Sequence, residues 1–442
     1  MRHPLSLRPL LLCLVTLAPA CATRGGSVRD LGLRETEHRY AKPEGCREVA
    51  PGDRIEDTVR DAPEGSALCL APGEHRGPLH VTKRITVWGP REARITSTGT
   101  GTTVEVRAPG TRLVGFTVDG SGGRYDTDDA AIKVHSDDVT VEGVSVVHAT
   151  FGILVERVKR ARIVRNRVQG NPATQMGLRG DAIRLWETTD SLVEANHVSN
   201  ARDMVFWYSS RNRLLRNVVE GGRYGTHLMY SHENRIEGNR FLGSIVGTFV
   251  MYSHDVVIRR NQYVDMSTPA GMGVGLKESS DIRVESNSFV HCNSGLYIDT
   301  SPLGVDSYDH IDRNDFALND AAVVFHGTTE RNLFRRNVLR SNREQVRVEG
   351  GNDALGSDWK ENHFDDYRGY DLNSDGIGDV PYEERSLAGQ LESDRPNLAF
   401  FHGTPARAVV DALGQLVPLF APRLLVVDAR PLVARPGRGG AE

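Results

Sequence analysis

The chain has 442 residues and a formal net charge of −4, from 54 Lys plus Arg against 58 Asp plus Glu. No basic run stands out, which argues against a nucleic-acid footprint. Glycine is abundant at 45 residues and cysteine sparse at five, with no CxxC pair, a composition of turn-rich β-structure rather than long helices.

The first stretch, MRHPLSLRPLLLCLVTLAPAC, places Arg2, His3 and Arg8 before an apolar run from Leu10 to Ala18. This is the pattern of a bacterial export signal over residues 1–20, too short for a comfortable membrane span. Ala18-Pro19-Ala20 before Cys21 is an imperfect lipobox, so Cys21 is a candidate lipid anchor, with ordinary cleavage nearby as the alternative. Export predicts a periplasmic protein in which Cys46 and Cys69 can pair, while Cys292 is expected to be buried and alone. After a linker over 21–40, residues 41–80 predict an N-terminal cap with a helix near Ile55–Asp61.

From about residue 81 to 364 the chain repeats. Short β-branched runs end in Asn166, Asn196, Asn217, Asn239, Asn261, Asn287, Asn314, Asn337 and Asn362, at intervals of 30, 21, 22, 22, 26, 27, 23 and 25. Upstream, Gly89, Gly115 and Gly143 close similar runs, which makes twelve units in all. Segments such as RLVGFTV and VTVEGVSV alternate with period two, so the units are strands. The expected fold is all-β, a right-handed parallel β-helix of about twelve rungs, each about 4.8 Å above the last. Asn is expected at the left-handed corner of each rung, its amide bonding to its copy on the next.

Counting back from each closing Asn separates two faces. Ile183, Met204, Thr226, Thr248 and Val274, with Leu185, Phe206, Leu228, Val250 and Leu276, form inward columns. Strand alternation then turns Arg184, Val205, His227 and Phe249 outward, together with Trp186, Trp207, Met229 and Met251. An apolar stripe on the outside of four consecutive rungs marks a partner-binding surface made of Trp186, Val205, Trp207, His227, Met229, Phe249 and Met251. A column count off by one, or a covering loop, are the competing explanations. His227, Met229, Met251, His232 and His254 are also a soft and borderline ligand set suited to Cu(I). Tyr208, Tyr230 and Tyr252 align beside a bend, followed by Ser209, Ser231 and Ser253.

Two further sites carry chemistry. Asp181, Arg184, Asp203 and Arg223 are the acid, base and cation candidates of a polysaccharide-modifying β-helix, although they make no compact constellation. DLNSDGIGD, from Asp371 to Asp379, has the spacing of a calcium loop, with Asp371, Asn373, Asp375 and Asp379 as oxygen ligands and Gly376 at the sharp turn. Tyr382 stands where an EF-hand has its bidentate Glu, and a hydrogen-bonded Asx-type turn is the alternative. This Asp-rich loop, over 365–385, leads into a C-terminal tail over 386–442. There Ala406–Val417 has one apolar helical face of Val409, Val410, Leu413 and Leu416, followed by the apolar segment LLVVDARPL, which caps the β-helix or docks on a partner.

The segments LCLAPGEHRGPLHV, RGDAIRLWE, ARDMVFWYSS, RYGTHLMYSHEN, VGTFVMYSHDV, YRGYDLNSDGIGDVPYE and FFHGTPARAVVDAL together resemble the NosD family across residues 45–432. The family commonly has Trp where this chain has Phe364. The resemblance implies a periplasmic, non-enzymatic β-helix accessory protein for assembly of the copper-sulfur centre of nitrous oxide reductase. It also implies work with a membrane ABC transporter (ATPase plus permease), with a copper-carrying lipoprotein and with the reductase itself. A carbohydrate-binding or polysaccharide-modifying β-helix, and a purely structural envelope scaffold, are the alternative functions.

Overall fold

A computed structural model describes residues 40–327, 329–349, 353–385, 397–398, 404–416 and 422–436. The export signal, Cys21 and most of the linker lie outside the described residues. The strands form three sheets of sixteen, thirteen and twelve members, parallel but for one strand at the end of the largest, stacked as a β-solenoid of about fourteen turns. Each coil passes through the three sheets in a fixed order. Taking one coil, Tyr224–Met229 lies in the twelve-stranded sheet, Arg235–Glu237 in the sixteen-stranded one, and Arg240–Leu242 in the thirteen-stranded one.

The twelve coils counted from closing residues correspond to twelve strands of the largest sheet. That sheet has four more. Arg47–Val49 and Ala67–Leu70 begin the stack inside the expected cap, while Leu424–Asp428 and an antiparallel Tyr382–Arg385 end it. The segment LLVVD therefore caps the solenoid through its own strand. At the other end the helix Ile55–Asp61 buries Ile55 and Val59, and Cys46 is bonded to Cys69. Cys292 is free and buried. The tail helix spans Pro405–Leu416, with Val409 and Leu413 exposed. No helix among the described residues is long and apolar enough to cross a membrane.

The inward side chains make one continuous core, because a single coil cannot bury them alone. The asparagines run through it as a ladder, each no more than 2% exposed. The backbone N–H and the Nδ2 of Asn166 both donate to Asn196 Oδ1, at 2.9 and 3.0 Å, and the same pair of bonds recurs from Asn196 up to Asn362. The left-handed corner, however, belongs to the residue before each ladder asparagine, not to the asparagine. Arg165, Ala195, Arg216, Arg260, Ser286, Arg313, Arg336 and Glu361 all have φ between +52° and +58°, and Gly238 has +67°. The upstream marks shift accordingly: Gly143 matches Arg165, and Val144 takes the ladder position. Asn is needed for its amide, not for its backbone tolerance.

Candidate functional site

The register of the twelve-stranded sheet confirms which residues share a column. Arg184 pairs with Val205, Val205 with His227 and His227 with Phe249, while Trp186, Trp207, Met229 and Met251 align two residues on. Met204, Phe206, Leu228 and Val250 belong to the main core; Val205 and Phe249 do not. The stripe thus stands on the outer face. It is not uniformly exposed, which corrects the simplest expectation. Arg184, Val205 and His227 are buried at 8%, 0% and 7%, whereas Trp186, Trp207, Met229, Phe249 and Met251 keep partial exposure. Past Met251 the column turns polar, with Lys277 bonded to Asp299.

His227 is the best-organised member. Trp207 Nε1 approaches its Nδ1 at 3.3 Å, and its Nε2 lies 3.2 Å from Met251 Sδ. Tyr224 stacks on the imidazole at 4.8 Å, and its ring is parallel to that of Phe249 at 5.8 Å. Phe249 in turn lies over Gly275, where an added Cβ would stand 2.3 Å from the ring. Burial holds the imidazole at about 4, well below its ordinary value, outweighing the opposing pull of Asp203. The ring is neutral at physiological pH, with one protonated nitrogen and one lone pair, and the Trp207 indole N–H donates to that lone pair at Nδ1. Sequence reasoning missed Tyr224 and Gly275. Their signal was register, since Tyr224 pairs with Asp203 and Gly275 with Phe249.

The Met-Tyr-Ser-His repeat resolves into four roles. The methionines stand on the outer face. The tyrosines take the corner, with φ of +49° to +50°, and stack outside as Tyr208–Tyr230–Tyr252 at 5.4 and 5.0 Å. The serines point in, at most 2% exposed, and the hydroxyl oxygens of Ser209, Ser231 and Ser253 accept the backbone N–H of Thr188, Ser209 and Ser231 on the preceding coil. His232 and His254 face each other at 3.9 Å, with His254 Nδ1 2.8 Å from Asp255. His232 Nδ1 accepts the His254 backbone N–H at 3.2 Å, so one nitrogen of each ring is already engaged. Contacts join these five candidates as two pairs, His227 with Met251 and His232 with His254.

The carboxylates singled out for polysaccharide chemistry are sequestered. The Asp181 and Asp203 side chains are at most 1% exposed, and Arg202, unnoticed in the sequence, bridges them at 2.8 and 3.2 Å. Arg223 Nε reaches Asp203 at 3.2 Å, and Asp203 also accepts the Tyr224 backbone N–H at 3.0 Å. Arg184 lies over the Phe151 ring, with Nη2 2.8 Å from Asp128 but poorly aligned for a hydrogen bond. Desolvation raises the Asp181 carboxyl above its usual range against the arginines. The network braces the end of the outer face and offers no acid-base pair to solvent.

The Asp-rich loop likewise satisfies itself. Asp371 accepts the N–H groups of Asp375 and Gly376 at 3.2 and 2.8 Å, Asn373 that of Asp375, Asp375 that of Ile377, and Asp379 that of Leu372 at 2.7 Å. This is the Asx-type turn, with Gly376 at φ +84°. Tyr382 is buried and stacks on Phe364 at 3.7 Å. It belongs to the core, which leaves no ligand at that position. Among the described residues no three His, Cys, Asp or Glu side chains could hold a metal ion, and calcium finds no support.

A family model described as periplasmic copper-binding protein (NosD) matches residues 164–369. The chain is 27% identical over 383 residues to a probable ABC transporter binding protein NosD of Pseudomonas aeruginosa, covering 83% of this chain and 88% of that one. It is 25% identical over 384 residues to the protein of the same description from Stutzerimonas stutzeri, covering 83% and 86%. Among solved structures, the A-module of a mannuronan C-5 epimerase from Azotobacter vinelandii superposes with a TM-score of 0.51 at 15% identity, over 68% of this chain and 92% of that one. That last likeness is one of fold. The resemblance to NosD read from the sequence is borne out.

Proposed function

We propose that the protein is a periplasmic, non-enzymatic accessory factor for maturation of nitrous oxide reductase. It acts with a membrane ABC transporter and handles copper as cargo for the copper-sulfur centre, passed from a copper-carrying lipoprotein. The observation that carries this reading is the outer face of the twelve-stranded sheet. Trp186, Trp207, Met229, Phe249 and Met251 present aromatic and thioether surface on consecutive coils, a composition typical of protein interfaces. The NosD matches supply the class of partner. Within the face, the neutral His227 imidazole beside Met251 Sδ fits a soft monovalent ion better than a hard one. The buried, arginine-paired Asp181 and Asp203 weigh against polysaccharide cleavage.

Deleting the gene should abolish nitrous oxide reductase activity while leaving the reductase polypeptide present, and adding it back should restore activity. A Trp207→Asp/Met229→Asp double variant should fold, by circular dichroism and melting, yet fail to copurify with the transporter. Full reductase activity in the deletion strain, or turnover of uronate polymers by the purified protein, would overturn the proposal. Unfolding of the double variant would show that the stripe is needed for stability instead.

A further inference from the structure

We infer that Trp207 keeps the His227–Met251 pair closed to a soft metal ion, and that metal entry requires the His227 proton to change ring nitrogen and the Trp207 indole to let go. The inference rests on the copper reading above and assigns its regulation. An indole N–H can only donate, so the 3.3 Å contact makes His227 Nδ1 an acceptor. In a neutral imidazole the proton then sits on Nε2, directed at Met251 Sδ 3.2 Å away. Nε2 is the nitrogen beside the sulfur, and so the one that a shared ion would use. In this tautomer its lone pair is not free.

Distance makes the same point. Nitrogen and sulfur ligands stand about 2.0 and 2.3 Å from a metal, so around one ion they lie roughly 3.5 Å apart when tetrahedral and about 4.3 Å when linear. At 3.2 Å the pair has closed on itself. Tetrahedral or linear binding would widen it, and any binding at Nε2 would move the proton from Nε2 to Nδ1, with no net release. The new Nδ1–H would then face the Trp207 N–H. Two donors cannot share one contact, and the burial of His227 leaves little water to relieve them. The sheet places the three partners for this. Trp207 comes from the coil before His227 and Met251 from the coil after.

Silver(I), a redox-inert probe for Cu(I), can be titrated into the mature full chain by competition with a chromogenic chelator. Trp207→Phe keeps an aromatic ring and removes the donor, and should tighten binding about tenfold. His227→Gln should weaken it at least tenfold. In parallel, nitrogen-15 spectra of the histidines should show the Nε2–H tautomer of His227 without metal and Nδ1–H with Ag(I). Unchanged affinity in Trp207→Phe, or an Nδ1–H tautomer in the metal-free protein, would overturn the gate while leaving copper binding at the pair intact. Equal silver affinity in wild type and His227→Gln would overturn both the gate and the copper assignment. Should Trp207→Phe fold poorly, the wild-type spectra decide alone.

Discussion

His227 and Asp309 show how much a single buried group can weigh. The folded His227 imidazole titrates at about 4, below the ordinary 6.5. Its neutral burial therefore contributes fully above pH 6.5 and is lost as the pH falls toward 4, by about 3 kcal/mol over that window. Urea melts of wild type against His227→Phe at pH 7.5 and 4.5 should show the wild type losing more stability on acidification. Asp309 runs the other way. Burial pushes its carboxyl up to about 7, opposed by donors from Ser301 and the Ile282 backbone. The folded state holds a proton that the unfolded chain releases near 4, so stability is full below pH 4 and falls as the pH rises through 7. Asp309→Asn should therefore raise stability at pH 8 by about 2 to 4 kcal/mol and change little at pH 4, by the same melts.

At the scale of the strand and its corner, the ladder is the main constraint. Replacing Asn239 with Ala removes the acceptor of the Asn217 N–H and Nδ2, both buried. A loss of about 2 to 4 kcal/mol is expected in equilibrium unfolding. The same residues explain what the sequence made legible. Period-two alternation holds along straight strands, so the columns through Trp207, Met229 and Met251 could be read correctly before any coordinates. It fails at corners, where Tyr208, Tyr230 and Tyr252 have positive φ and reset which way the next side chain points. The serines align in the sequence beside that bend, but their inward direction, and the stacking of His232 on His254, is not readable for that reason. Arg202 was invisible for another reason. An arginine that bridges two aspartates on adjacent coils carries no local pattern, and only the three-dimensional register brings the three together.

For the molecule as a whole, the two ends matter because the middle is self-similar. A stack of parallel strands ends in unpaired backbone groups that invite another chain. The helix Ile55–Asp61 closes one end, and the strand Leu424–Asp428, covered by Tyr382–Arg385, closes the largest sheet at the other. Ending the chain at residue 421 removes that strand together with the Asp428 acceptor of Asn362. The truncated protein should melt lower than the full chain and form higher oligomers by light scattering, while a truncation after residue 436 should not.

The ladder also has a direction. From Asn166 to Asn362 every amide donates toward the next coil and accepts from the one before, so nine side-chain dipoles add along one axis with their positive ends toward the C-terminus. At that end the row meets Asp428, whose carboxylate accepts both the N–H and the Nδ2 of Asn362. Burial raises the Asp428 carboxyl above its usual range, and the donors from Asn362 and the Arg430 backbone oppose that, so the last rung of the ladder ends on a group held by its hydrogen bonds.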